Sequence, residues 1–164
     1  MAPTSIYPGT NLADLGAGAQ LSLYGFRACA VGSVKCCCVV KTYNEVFGNY
    51  GGGRVLGHML QFARDLGQAS GRRLKLSAPG CLHFTHDETS VLGAVAAAQG
   101  QDKGLRDAHL TWLLSRPPQS ELGDIVDAVG EAFLERDLPI CLPEARRAQP
   151  AAGRAGRLEC VGNA

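Results

Sequence analysis

The sequence has almost no excess charge, few aromatic residues and no long apolar run. Sixteen Lys and Arg residues balance fifteen Asp and Glu residues, so no overall field attracts nucleic acid or an anionic membrane. Arg27, Lys35, Lys41 and Glu45 interrupt the most apolar stretch before it reaches the roughly 18 residues of a membrane helix. Residues 1–12 lack the basic and apolar regions of a secretory signal. We therefore expect a cytoplasmic protein with no membrane partner and no nucleic-acid partner.

The cysteine content indicates a reducing compartment. The sequence contains seven cysteines, an odd number, and Cys36, Cys37 and Cys38 are consecutive, a spacing in which disulfide geometry is strained. The richness in Ala, Gly and Arg is typical of proteins from high-GC bacterial genomes. A length of 164 residues with 46% hydrophobic and 19% charged residues is typical of one globular domain.

Composition divides the chain into three parts. Residues 1–18 are rich in Pro, Gly, Ala and Thr without periodicity, which predicts a flexible N-terminal arm. Residues 143–164 carry four arginines among Pro, Gly and Ala with few large apolar side chains, so we expect a disordered tail. Residues 19–142 then form a single helical domain.

The hydrophobic period within this domain is helical. Apolar residues recur every three or four positions in six segments. The predicted helices span 19–31, 34–47, 54–66, 87–99, 104–115 and 120–137. Val39 and Val40 leave a strand open as an alternative for the start of the second segment. We expect the stripe of Leu21, Tyr24, Ala28 and Val31 in the first helix, and that of Leu105, Ala108, His109 and Trp112 in the fifth, to face the core.

Two segments read as short strands. Residues 72–77 alternate between polar and apolar side chains, and 138–142 form a second short apolar segment that could pair with them. The predicted fold is therefore mainly α: a compact antiparallel domain of five or six helices with a minimal two-stranded β element.

The densest group of chemically active side chains lies between the first strand and the fourth helix. Cys81, His83 and His86 supply ligand types that zinc accepts, although their spacing matches no known zinc motif. Thr85 and Glu88 have the spacing of a capping box, which predicts a helix start there. We expect no cofactor, with zinc as the candidate metal.

Two further sites are candidates. Cys38 falls on the outer face of the second helix near Lys35 and Lys41, whose charges favour a reactive thiolate. Gly52, Gly53 and Arg54 lie at the start of the predicted third helix, where backbone amides without partners could bind an anion. A flexible turn is the alternative interpretation of these glycines.

Three functions fit these residues. The first is a small cytosolic binding or regulatory protein without catalysis, which acts through protein–protein contacts and self-associates, because the sequence lacks a catalytic motif and its short helices offer apolar faces. The alternative is a metal- or thiol-redox-responsive protein that uses Cys81, His83 and His86. The third is a small enzyme in which Cys81 attacks an electrophile.

Overall fold

Six α-helices account for most of the residues that the structure describes, which are 10–32 and 37–142 in this computed structural model. A 3-10 turn at Leu12–Leu15 comes first. The helices are α1 (Ala17–Ala30), α2 (Cys37–Phe47), α3 (Asn49–Ala69), α4 (His86–Gln99), α5 (Lys103–Leu114) and α6 (Ser120–Leu134). The predicted helical bundle is confirmed. Within the described ranges, no helix has both the length and the apolar character needed to cross a bilayer.

The N-terminal boundary of the fold differs from the prediction. Asn11 caps the 3-10 turn by accepting hydrogen bonds from the backbone amides of Ala13 and Asp14, and Leu12 and Leu15 are buried. The second half of the predicted arm, residues 1–18, therefore belongs to the folded part. Residues 1–9, the start of the predicted second helix at 34–36 and the predicted tail at 143–164 lie outside the described residues.

The long helix α3 begins earlier than its apolar period indicates. Gly48, with φ of +81°, reverses the chain between α2 and α3, a conformation that favours glycine. The glycines at 51–53, for which we considered a flexible turn, are helical, and the amide of Gly52 donates to the Gly48 carbonyl at 2.8 Å. A Cβ at Gly52 would lie 2.7 Å from the backbone nitrogen of Asn44. Glycine at this position therefore allows α2 and α3 to approach closely.

The predicted two-stranded β element is wrong, because residues 70–85 and 138–142 form no strand. Side chains take the place of a neighbouring strand at both segments. The amides of Lys75 and Ser77 donate to the carboxylates of Asp87 and Glu88 at 2.8 and 2.9 Å. At the second segment, the amide group of Gln99 accepts from the Ile140 backbone at 2.9 Å and donates to the Leu138 carbonyl at 3.0 Å.

The helix α3 lies at the centre of the bundle and packs on α1, α2 and α6, while α4 packs on α5 and α6. Aromatic rings connect these layers. Tyr43, Phe47 and Phe133 form one cluster with ring centroids 5.1–6.4 Å apart, and Phe26 and Phe62 form a second contact at 5.2 Å. Such stacked, edge and tilted pairs stabilise a core beyond the area that they bury.

Burial in α1 departs from its predicted stripe. Ala28 of this stripe is fully buried, and Leu21 and Tyr24 are half-buried against the core, but Val31, just beyond the helix, is 57% exposed. The core also receives Leu23 and Phe26, which the stripe does not include. The period of three and four was correct for a helix, but nearly every side of α1 is covered between residues 22 and 29, so one stripe could not describe its contacts.

One glycine in α1 accommodates a buried phenol. The Tyr43 hydroxyl lies directly against Gly25, where a Cβ would overlap it, and donates to the Leu21 carbonyl at 2.8 Å. Burial raises the pKa of Tyr43 well above its usual value, which keeps the hydroxyl protonated as a donor. The α1–α2 contact therefore requires glycine at position 25.

Replacing Gly25 by Ala is expected to lower the free energy of unfolding by about 1–3 kcal/mol, because the new methyl group displaces Tyr43. Gly53→Ala is the matched control in α3, where a Cβ would meet no atom of the described chain within 4 Å. This variant should gain about 0.5–1 kcal/mol from helix propensity. Urea unfolding measures both changes, and equal effects of the two substitutions would refute the close contact.

Candidate functional site

The longest irregular segment among the described residues, 70–85, connects α3 to α4 and carries Cys81, His83 and Thr85, while His86 and Glu88 follow in the first turn of α4. Thr85 and Glu88 form the predicted capping box, which is confirmed: the Glu88 amide donates to Thr85 Oγ1 at 3.2 Å, and the Thr85 amide donates to Glu88 Oε2 at 2.8 Å. Thr85 Oγ1 also donates to the Lys75 carbonyl at 2.6 Å. The capping box therefore starts α4, and its Thr85 also fixes the irregular segment through the bond to Lys75.

An arginine in α1 forms the centre of this arrangement. The side chains of Arg27 and Glu88 are both fully buried. The guanidinium donates to Glu88 at 2.6 and 3.0 Å, and to the carbonyls of Ala78, Cys81 and His83 at 3.2, 2.7 and 2.9 Å. These five bonds match the five N–H groups of a guanidinium. One side chain of α1 thus fixes the course of the segment that precedes α4.

Glu88 is equally well satisfied. Its Oε1 accepts from Arg27 and from the Ser77 amide, and its Oε2 accepts from Arg27 and from the Thr85 amide. A buried ion pair is tolerated when such additional hydrogen bonds satisfy both charges. Because each oxygen already has two donors, this pair is a structural element and offers no acid or base for catalysis.

A second ion pair lies beside the first and nearer to solvent. Arg72 donates to both carboxylate oxygens of Asp87, and the Lys75 amide donates to the same group at 2.8 Å. Burial would raise the pKa of Asp87, but these hydrogen bonds outweigh it and the pKa lies below its usual value. The Arg72 guanidinium also lies 6.0 Å from the centre of the Trp112 ring, within the range of a cation–π contact.

Of the predicted metal ligands, Cys81 and His83 belong to this segment and His86 begins α4; the structure brings the backbone carbonyls of Cys81 and His83, and not the three side chains, to one point. The carbonyls of Cys81 and His83 bind Arg27, whereas the side chains of His83 and His86 are exposed. Across residues 10–32 and 37–142, no three His, Cys, Asp or Glu side chains are grouped to bind one ion. Zinc binding by Cys81, His83 and His86 stays a prediction from the sequence, as does a nucleophilic role of Cys81.

Three other cysteines have described side chains, and their environments differ widely. Cys38 is exposed on α2, as expected, and Cys141 is exposed beyond α6. Cys29 is buried in α1, and this burial raises its thiol pKa to about 11. A thiol with such a pKa is protonated at neutral pH and is a poor nucleophile. Cys38 therefore remains the candidate reactive thiol, a prediction that the geometry does not decide.

The predicted anion site loses its geometric basis. Gly52 lies one turn inside α3 and its amide is bound within the helix, while Gly53 and Arg54 are exposed. The helix begins at Asn49, so residues 52–54 do not present the unbonded amides that bind phosphate at a helix start.

A surface that the sequence assigned to the core is exposed instead. Leu105 is 49% exposed and Trp112 is 60% exposed, with Ala108 between them on the outer face of α5. The buried face of α5 carries Arg106, Leu110, Leu113 and Leu114. An open depression beside this outer face is lined by Arg72, Ala108, Thr111, Trp112 and Ser115. We call Leu105, Ala108 and Trp112 the α5 outer face.

His109 does not join the α5 outer face. Its ring packs against α4, where a Cβ at Gly93 would lie 2.5 Å from the imidazole.

Comparison with known proteins adds no functional information: no protein-family model, no curated protein and no solved structure matches this chain. The residues themselves are thus the basis for any functional proposal.

Arg27→Met is expected to lower the free energy of unfolding by about 3–5 kcal/mol, because it leaves Glu88 buried without its counter-charge. The control is Lys41→Met, since the Lys41–Glu45 pair is exposed at 3.9 Å and such pairs contribute less than about 1 kcal/mol. Urea unfolding gives both values. Hydrogen exchange should also become faster at residues 77–85 in Arg27→Met alone, and equal losses in the two variants would contradict the proposed role of Arg27.

The lowered pKa of Asp87 predicts a specific acid sensitivity. Its contribution to stability is present above the unfolded-state pKa of about 4 and is lost as the pH falls through the lower folded-state pKa. The unfolding free energy of Asp87→Asn should therefore fall less steeply than that of the natural chain below about pH 4. Asp124→Asn, on the exposed side of α6, is the control, and identical pH profiles for all three proteins would refute the assignment.

Proposed function

We propose that this chain is a binding or regulatory protein without a catalytic role, which acts through protein–protein contacts at the α5 outer face. The observation that carries this proposal is the exposure of Trp112 on a helix that already buries its opposite side. Tryptophan is among the residues that dominate binding energy at protein interfaces.

The arrangement of the α5 outer face favours binding over incidental exposure. Leu105, Ala108 and Trp112 are spaced by three and four residues and form one continuous stripe, whereas single exposed apolar residues are normal on any surface. Tyr50 and Leu134 are such single residues, near the start of α3 and at the end of α6. Because a helix holds the stripe in place, little side-chain and backbone ordering is needed on binding.

The polar surroundings of the stripe also fit an interface. Arg72 covers part of the Trp112 ring and is itself fixed by Asp87, so the apolar stripe has a charged, ordered border. Interfaces typically combine an apolar centre with a polar rim. No comparable argument supports catalysis, because the buried carboxylate of Glu88 has all its acceptor positions filled by donors of the chain.

Site-specific photo-crosslinking tests the proposal. A photoreactive phenylalanine analogue at position 105 should form an adduct of defined mass, in the purified chain when the partner is a second copy, or in extract of cells that express the chain when the partner is another protein. The same analogue at position 134 is the matched control, because Leu105 and Leu134 are both 49% exposed. The adduct at position 105 should disappear when Trp112→Ala is added. Equal adducts at both positions, or no effect of Trp112→Ala, would contradict the proposal.

A further inference from the structure

We infer that a second copy of this chain binds the α5 outer face, with the two α5 helices antiparallel about a two-fold axis. This inference rests on the proposed function and names its partner. The reasons are the symmetry of the apolar stripe, the distribution of charge along α5 and the length of the helix.

The stripe is self-complementary. Leu105 and Trp112 lie at equal distances along α5 from a point just beyond Ala108, and all three fall within about 60° of each other around the helix at 100° per residue. In an antiparallel pair centred on that point, Leu105 of each copy lies opposite Trp112 of the other. The small side chain of Ala108 stands at the crossing and lets the two backbones approach. A two-fold axis forms each of these contacts twice.

The charges of α5 also match in this orientation. Asp102 caps the N-terminus of α5, with its carboxylate accepting from the Leu105 amide at 2.9 Å, while Arg116 is exposed just beyond the C-terminus and Arg72 lies beside Trp112. An antiparallel pair places the acidic end of each α5 next to the basic end of the other. Around the helix, Lys103 lies roughly 140–180° from all three residues of the stripe and does not face this contact, whereas Asp102 lies about 60° from Leu105 and about 80° from Trp112.

A parallel pair of α5 helices lacks this match of opposite charges. It would bring Asp102 against Asp102 and Arg116 against Arg116, which is unfavourable at close range. It would also place the two Trp112 rings, each already carrying Arg72 on it, against each other. Antiparallel helices additionally align opposite ends of their dipoles.

The contact is small. The 12 residues of α5 extend over about 18 Å at 1.5 Å per residue, which is short for the roughly 800 Å² per partner that stable interfaces bury. A weak dimer follows, with a Kd in the range from about 1 μM to about 1 mM. Association should therefore depend on concentration in the range from about 1 μM to about 1 mM.

Trp112 is the only tryptophan of the chain, so its fluorescence reports directly on the contact. With increasing concentration of the full chain, the emission should shift to shorter wavelength as the indole leaves water. Light scattering on the same samples should show the mass rising from one chain to two. Both signals should give the same Kd.

Matched variants localise the contact. Leu105→Arg should raise the Kd by about 30-fold or more, the effect of losing an interface hot spot. Leu134→Arg, at the same 49% exposure, should leave the Kd unchanged. Both variants alter exposed residues only, so circular dichroism should show the helical spectrum of the natural chain for each.

Charge reversal tests the orientation. Arg116→Glu brings a carboxylate opposite Asp102 of the second copy and should weaken the dimer several-fold at low salt, with the difference vanishing at high salt. Arg54→Glu, at an exposed position of α3, should have no effect. If Arg116→Glu acts no differently from Arg54→Glu, the antiparallel arrangement is overturned.

The outcomes separate this inference from the proposed function. A mass of one chain up to about 1 mM, with an adduct at position 105 of another mass, overturns the inference and leaves the proposed function intact. A mass of one chain without a specific adduct overturns both. Dissociation by Leu134→Arg as strong as that by Leu105→Arg also overturns the inference, because the dimer would then use another surface.

Discussion

A guanidinium that is fully removed from water needs an acceptor for each of its five N–H groups, and Arg27 finds all five within this chain. Two acceptors are the oxygens of Glu88 and three are carbonyls of the segment before α4. This requirement determines how α1, the irregular segment and α4 fit together. The Arg72–Asp87 pair lies beside this buried pair and nearer to the surface. There the Arg72 guanidinium also contacts the ring of Trp112.

The helical class of the fold could be predicted because periods of three and four survive in the sequence whatever the helices pack against. The prediction of two short strands was wrong, although residues 72–77 do alternate between polar and apolar side chains. Alternation indicates an extended backbone but does not identify the groups to which that backbone is hydrogen-bonded. Here Asp87, Glu88 and Gln99 supply from their side chains the hydrogen bonds that a second strand would supply.

The burial of individual helix faces was harder to predict for the same reason. Helix α5 has apolar residues on two sides, and the period of Leu105 and Trp112 does not tell which side the rest of the fold covers. Arg27 was missed because an arginine in a helix is usually exposed, and its partner Glu88 lies 61 positions away. The capping box at Thr85 was found because both of its partners are local. Local motifs can be predicted from one sequence, whereas a buried ion pair between helices that are distant in sequence cannot.

The bonds of Arg27 have a consequence for how this chain can vary among organisms. Three of its acceptors are main-chain carbonyls, at positions 78, 81 and 83, and every amino acid has a carbonyl. Mutation can therefore exchange the side chains at these positions without redirecting the main chain, provided that positions 27 and 88 keep their charges. An alignment of orthologues should therefore show Arg at position 27 and Glu at position 88 throughout, with variable residues at positions 78, 81 and 83. Changes at these three positions alter the surface of the protein while the backbone keeps its path.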